Sequence, residues 1–117
     1  AALARDLHTT VLLSGPEDIV TDGSSAWCCT GGSGRMAQVT GTGCMLSVLC
    51  GVFAAVEPEP REAALLAAAF WKVCSRRADR AAGETGPGSF RTALLDAAGA
   101  LTAADLEREA ELFPLSL

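Results

Sequence analysis

The chain has 117 residues, enough for one domain, and half of them are hydrophobic while a fifth are charged, as in folded globular proteins. A formal net charge of −5 with a single lysine argues against a nucleic-acid-binding surface. No apolar run reaches the ~18 to 20 residues of a membrane span, which argues against a membrane partner. The five cysteines are an odd number, and we interpret them as free thiols of a cytoplasmic protein.

The first part of the sequence predicts a helix end followed by short strands. Residues 1–7 carry leucines four positions apart, as the last turns of a helix do. Residues 9–14 are β-branched and continuously apolar at their centre, which predicts a strand covered on both faces. A turn at 15–18, a β-hairpin made of 19–21 and 25–29 around Asp22-Gly23, and a glycine loop at 31–34 complete this part.

The second part predicts helices alone. Residues 44–56 form an apolar run with the length of a buried helix, and the prolines of 57–60 end it. Residues 61–82 predict a long helix that is buried on more than one side, since its middle is apolar all round. Ser89 is predicted to cap a helix with Leu94, Leu95 and Ala98 on one face, and residues 102–105 begin a last short helix.

The stretch Gly41-Thr42-Gly43-Cys44 joins a flexible turn to the start of a predicted helix. Free backbone N–H groups and the positive end of the helix dipole make such a junction a ready anion site. It is neither a P-loop nor a dinucleotide fingerprint, because no Gly-Lys-Ser/Thr occurs and Leu46 fills the third glycine position. Taken alone, the glycine turn can equally serve only the packing of the chain. Cys44 can equally be a small buried hydrophobic residue and not a reactive thiol.

Other chemistry has little support in the sequence. His8 is the only histidine and lies just before a strand, so we interpret it as a surface residue and not as part of a catalytic triad. No cysteines or histidines have the spacing of metal ligands, which argues against a zinc site.

Four motifs together resemble one family. They are residues 11–15 (VLLSG), 20–23 (VTDG), 39–44 (VTGTGC) and 86–90 (GPGSF). In order and spacing they are similar to hydroxyethylthiazole kinases of the ribokinase-like superfamily. The resemblance covers only the C-terminal portion of that family's length, so residues 1–117 would be part of one kinase domain whose N-terminal half is missing. It implies a three-layer α/β fold with a mainly parallel sheet, a β-hairpin and a helix-rich C-terminal half.

The resemblance also implies an activity. Members of that family phosphorylate the hydroxyl of 4-methyl-5-(2-hydroxyethyl)thiazole with ATP and Mg²⁺ in thiamine salvage, and similar members form homotrimers. By this resemblance Cys44 is the catalytic residue beside the attacking hydroxyl, and Gly41 contacts the thiazole alcohol. Ser14, Thr42 and Gly43 would bind ATP and the transferred phosphoryl group. The Mg²⁺ ligands would lie in the missing half, so no metal ligand is expected in this chain.

Two alternatives remain open. The first is another ribokinase-like kinase, which would act on a hydroxymethylpyrimidine or a sugar. Cys44 argues against this alternative, because that superfamily usually has an aspartate base at this position. The other is a catalytically inactive fragment, which the loop at 31–35 favours because relatives tend to have an Asn-Gly-His turn there.

Overall fold

The computed structural model describes all 117 residues. Five helices and four strands follow one another, with one short 3₁₀ helix between β3 and α2. Their bounds are α1 Ala2–Leu7, β1 Val11–Leu13, β2 Asp18–Thr21, β3 Ala26–Thr30, the 3₁₀ helix Gly34–Gln38, α2 Thr42–Ala54, α3 Pro60–Ala82, α4 Pro87–Ala100, α5 Ala103–Glu109 and β4 Glu111–Leu115. None of these helices is both long and apolar enough to cross a lipid bilayer.

The sheet is antiparallel throughout, with the strand order β1-β2-β3-β4. The chain is α/β as predicted, but the prediction of a mainly parallel sheet is wrong. The links between β1, β2 and β3 are short hairpin turns, whereas a parallel pair needs a crossover of about a dozen residues or more. The hairpin around Asp22-Gly23 is confirmed, and it places Val20 opposite Trp27. The sequence did not predict β4, which returns after α5 and pairs with β3.

Strand β1 is an edge strand, which corrects the prediction of a strand covered on both faces. It pairs with β2 alone, and Leu13 is 64% exposed. Its neighbour Leu12 packs instead against the buried cluster of Val20 on β2 and Ala64 and Leu65 on α3. Since successive side chains of a strand point to opposite faces, one covered face accounts for this difference.

Helix α3 is the central element of the fold and confirms the prediction of a long helix buried on more than one side. Pro60 occupies its first turn, and the Glu59 side chain accepts a hydrogen bond from the Arg61 N–H. One side packs against the sheet, where Ala64 and Leu65 contact Val20. Another side packs against α2 and α4 through residues that include Ala67, Trp71, Cys74, Ala78, Phe90 and Leu94.

Helix α2 is far less buried than its sequence predicts. Leu46 is its only fully buried residue, while Val48 and Val52 are 67% and 56% exposed. The prediction of a buried helix is therefore wrong for this chain, because only the side of α2 that faces α3 is covered. Hydrophobic composition shows that a helix can be buried, but it does not show which neighbour buries it.

The two C-terminal helices differ in how well their starts were predicted. Helix α4 begins at Pro87 with Gly86 as its N-cap, so Ser89 lies inside the first turn and the prediction that it caps the helix is wrong. Proline suits this first position because its missing N–H would have no partner there. The start of α5 is confirmed, since the Thr102 and Asp105 side chains each accept a hydrogen bond from the other's backbone N–H.

Candidate active site

A cavity of about 480 Å³ opens where three loops meet above α3. The loops are the turn after β1, the glycine loop after β3 and the start of α2. The lining residues are Ser14, Gly15, Pro16, Asp18, Gly32, Ser33, Gly34, Met36, Ala37, Thr42, Gly43, Leu46, Trp71 and Lys72. The structure thus brings three residues of the predicted site, Ser14, Thr42 and Gly43, to one cavity, while Gly41 and Cys44 flank Thr42 and Gly43 in the chain.

The first backbone N–H groups of α2 donate no hydrogen bond to a capping side chain. Gly41 is the N-cap with φ 94° and ψ 0°, a left-handed conformation suited to glycine, and no side chain caps the helix. The Met45 N–H donates to the Gly41 carbonyl at 2.9 Å, which begins the helical hydrogen-bonding pattern. The N–H groups before it have no intrahelical partner, so this end can receive an anion.

Thr42 contributes to this end through its backbone. Its hydroxyl lies 3.2 Å from the Met36 carbonyl oxygen and 3.4 Å from that of Val39, so the side chain is turned toward the preceding segment. Its own carbonyl accepts a hydrogen bond from the Trp71 indole N–H at 3.0 Å. Because Trp71 is buried in α3, this bond fixes the start of α2 on the core.

Cys44 is exposed, on the first turn of α2. The alternative interpretation of Cys44 as a small buried hydrophobe is therefore wrong. All five cysteines are free thiols, and Cys28, Cys29 and Cys74 are buried. Burial raises the pKa of both Cys29 and Cys74 to about 12, so these two are unreactive thiols.

The turn after β1 is anchored by a buried charge pair that the sequence reasoning missed. Lys72 and Asp18 are both buried, and the Lys72 ammonium lies 3.4 Å from Asp18 Oδ1. The same ammonium donates to the carbonyl oxygens of Gly15 at 2.7 Å and Pro16 at 3.0 Å. Removing one partner of a buried pair costs about 3–5 kcal/mol, because the remaining charge is left buried without a partner.

The glycine loop after β3 is anchored on the next turns of α3. The Ser33 N–H donates to the Ser75 hydroxyl oxygen at 3.0 Å, and the Ser33 hydroxyl donates to Asp79 at 2.7 Å. Arg35 also donates to Asp79, at 3.1 Å. The Ser33 hydroxyl and the Arg35 guanidinium lower the pKa of Asp79.

A signal for these anchors was present in the sequence. Lys72, Ser75 and Asp79 are polar residues spaced three and four positions apart, which places them on one face of a helix that is otherwise largely apolar. A polar face on a buried helix implies buried partners, because burying a polar group without one is costly. The partners themselves could not be identified, since they lie in distant loops.

The chain does not supply a magnesium site. No three His, Cys, Asp or Glu side chains are grouped closely enough to hold a metal ion. Asp18 is the one carboxylate that lines the cavity, and it is bound to Lys72 and to the Gly15 N–H. Mg²⁺ is usually held by one or two carboxylates together with waters and substrate phosphates, and the one carboxylate here is already paired with an ammonium group, so these residues do not fit Mg²⁺.

Comparisons with known proteins point to one family. A family model described as "HK: Hydroxyethylthiazole kinase family" matches residues 1–104. The chain is 42% identical over 106 residues to hydroxyethylthiazole kinase of Desulfotalea psychrophila, covering 91% of this chain and 38% of that protein. It is 43% identical over 110 residues to that of Cereibacter sphaeroides strain ATCC 17029, covering 94% of this chain and 41% of the relative.

A solved structure extends the similarity to the fold. The hydroxyethylthiazole kinase protein of Pyrococcus horikoshii OT3 superposes with a TM-score of 0.89 at 31% identity, over 97% of this chain and 43% of that chain. The chain thus spans about two-fifths of the length of the proteins that it matches. Because the family match covers most of these 117 residues, the chain belongs to the hydroxyethylthiazole kinase family.

Proposed function

We propose that this chain forms the phosphoryl-binding part of an enzyme that transfers phosphate from ATP to the hydroxyl of 4-methyl-5-(2-hydroxyethyl)thiazole. The observation that carries the proposal is the meeting of Ser14, Thr42 and Gly43 at one cavity, at an uncapped helix start. The names of the relatives support the choice of substrate over a hydroxymethylpyrimidine or a sugar.

The residues at the α2 start would act by positioning. Phosphoryl transfer passes through a loose transition state, so oriented donors matter more than a strong base. The N–H groups at Thr42 and Gly43 would receive the transferred phosphoryl group, and Ser14 would contact ATP across the cavity. Gly41 would contact the thiazole alcohol. Cys44 would lie beside the attacking hydroxyl, with its side chain exposed on the first turn of α2.

The rest of the enzyme would complete the site. The family resemblance supports Mg²⁺ as the cofactor, with its ligands upstream of this chain, so that residues 1–117 are the C-terminal portion of one kinase domain. The same resemblance supports a homotrimer in the cytoplasm. The exposed valines of α2 are compatible with a surface that is covered in the complete protein.

A fusion protein tests this proposal. Residues 1–117 are joined to the upstream part of the Desulfotalea psychrophila relative, which gives a fused kinase. We expect ADP formation that depends on ATP, Mg²⁺ and the thiazole alcohol, with lower kcat/KM for hydroxymethylpyrimidine. The unfused chain is the control and should be inactive. A folded fused kinase without turnover of the thiazole alcohol would favour the inactive-fragment alternative.

A further inference from the structure

Lys72 is the only lysine of the chain, and its side chain is 5% exposed at the base of the cavity. An ammonium group has three N–H donors, and three acceptors surround this one. They are the carbonyl oxygens of Gly15 and Pro16 and the carboxylate of Asp18, at 2.7, 3.0 and 3.4 Å. Lys72 is therefore directed at the turn after β1, and its donors are occupied within the chain.

The stem of Lys72 also contacts the loop on the other side of the cavity. A Cβ added to Gly32 would lie 2.5 Å from Lys72 Cδ and 3.2 Å from the Ser75 hydroxyl oxygen. Only a glycine leaves room for this close approach of loop and stem. One side chain thus packs under the glycine loop and holds the opposite turn.

The turn that Lys72 holds has few other constraints. It follows a three-residue edge strand, and the Cys28 thiol of β3 donates a weak 3.8 Å hydrogen bond to Glu17. Its other side-chain hydrogen bond runs from the Gly15 N–H to Asp18 at 2.9 Å. That bond closes the turn on itself and does not attach it to α3. The tie to α3 is the Lys72 ammonium, through two backbone carbonyls and one carboxylate.

We propose that Lys72 is a positioning residue that sets the Ser14 wall of the cavity at the correct distance from the α2 start. This inference rests on the proposed function, since Ser14 and the α2 start there bind the phosphates of ATP. Lys72 acts through the turn and does not touch ATP. Misplacing the positioning groups of an active site by about 1 Å can cost about 100-fold in rate, so the distance between the two walls matters.

The test uses the fused kinase with Lys72→Met, which keeps the stem and removes the ammonium. Alone, this change leaves Asp18 buried without a counter-ion and lowers stability for that reason. The double variant Lys72→Met/Asp18→Asn removes the charge problem and keeps an oxygen acceptor for the Gly15 N–H. Arg80→Met is the matched control, because Arg80 is an exposed residue on the same helix.

Two measurements are made at a temperature where circular dichroism shows every variant folded. Hydrogen exchange of the peptide covering residues 14–18 reports how firmly the turn is held, and equilibrium titration reports the Kd for ATP. We expect the double variant to recover the melting temperature, to exchange faster in that peptide alone, and to bind ATP about 10-fold more weakly, which corresponds to about 1.4 kcal/mol. Arg80→Met should match the unsubstituted protein in both.

Each other result overturns the inference. Unchanged exchange in the double variant would show that Lys72 does not hold the turn. Faster exchange with an unchanged Kd would show that ATP binding does not depend on how firmly the turn is held. Recovery of the Kd together with the melting temperature would leave Lys72 a role in stability alone. Failure of the proposed function is distinct, because then the unsubstituted fused kinase itself does not bind ATP.

Discussion

A methyl group added at Gly43 separates the requirements of the fold from those of the proposed reaction. A Cβ built on Gly43 meets no atom within 4 Å, and Gly43 is not among the glycines with positive φ. Gly43→Ala should therefore fold normally and can add up to about 1 kcal/mol of stability, as alanine does relative to glycine in a helix. Gly43 lines the cavity, however, so an added methyl group would stand at the proposed phosphoryl site.

We expect a loss of activity because the methyl group would keep the phosphoryl group away from the backbone N–H donors at the α2 start. Removing one oxyanion donor in other enzymes costs about 10²- to 10³-fold in kcat, which corresponds to about 3–4 kcal/mol. We expect Gly43→Ala to lower kcat of the fused kinase by an amount of this order, and Gly43→Val to abolish turnover. The assay is ADP formation with the thiazole alcohol and Mg-ATP, with thermal unfolding measured in parallel.

Gly51→Ala is the matched control for this prediction. Gly51 lies in the same helix, its added Cβ also meets nothing within 4 Å, and it is outside the cavity. Gly51→Ala should stabilise the protein in the same way and leave kcat unchanged. Near-normal kcat in folded Gly43→Ala would refute the assignment of the α2 start as the phosphoryl site.

Four further outcomes are expected. Cys44→Asp should keep or raise kcat, because the usual base of the superfamily is restored; a folded but inactive variant would contradict the role of Cys44. Iodoacetamide at neutral pH should label exposed Cys44 and spare buried Cys74, whose pKa is raised to about 12, as peptide mass spectrometry can check. Gly41→Ala should cost about 1–2 kcal/mol in urea unfolding, since φ is 94° there. The lowered pKa of Asp79 stabilises the fold above the ordinary aspartate pKa of about 4, and this contribution is lost as pH falls through the lowered value. Asp79→Asn should thus make the melting temperature fall less steeply as the pH is lowered. An unchanged fall would show that the contacts of Asp79 with Ser33 and Arg35 do not contribute to it.

Local patterns predicted the elements whose ends and faces are decided within a few residues. Pro60 and the alternating glycines around Thr42 mark helix starts, and the structure has helices beginning at both places. Thr102 and Asp105 form the expected capping box. Ser89 misled the prediction because Pro87, two residues earlier, is already suited to the first helical position.

Strand β4 shows why the rest of the sheet could not be predicted. Its sequence includes Pro114, which lacks a donor for a ladder and argues against a strand. The residue is tolerated because β4 pairs on one side only, with Pro114 opposite Trp27 of β3. The strand exists because β3 offers an edge, and that partner lies more than eighty residues earlier in the chain.

The sequence by itself determined that a glycine turn opens a helix at Gly41, and hence that backbone donors and a cysteine stand together there. Only the tertiary structure decided that Ser14 lines the same cavity as Thr42 and Gly43, and that Lys72 and Trp71 of α3 bond to the two sides of it. Lys72 lies 57 residues from Gly15, and Trp71 lies 29 residues from Thr42. Helix starts depend on neighbouring residues, and pattern reasoning can identify them. Contacts between distant residues depend on how α3 packs beneath three loops at once, and no local pattern specifies that arrangement.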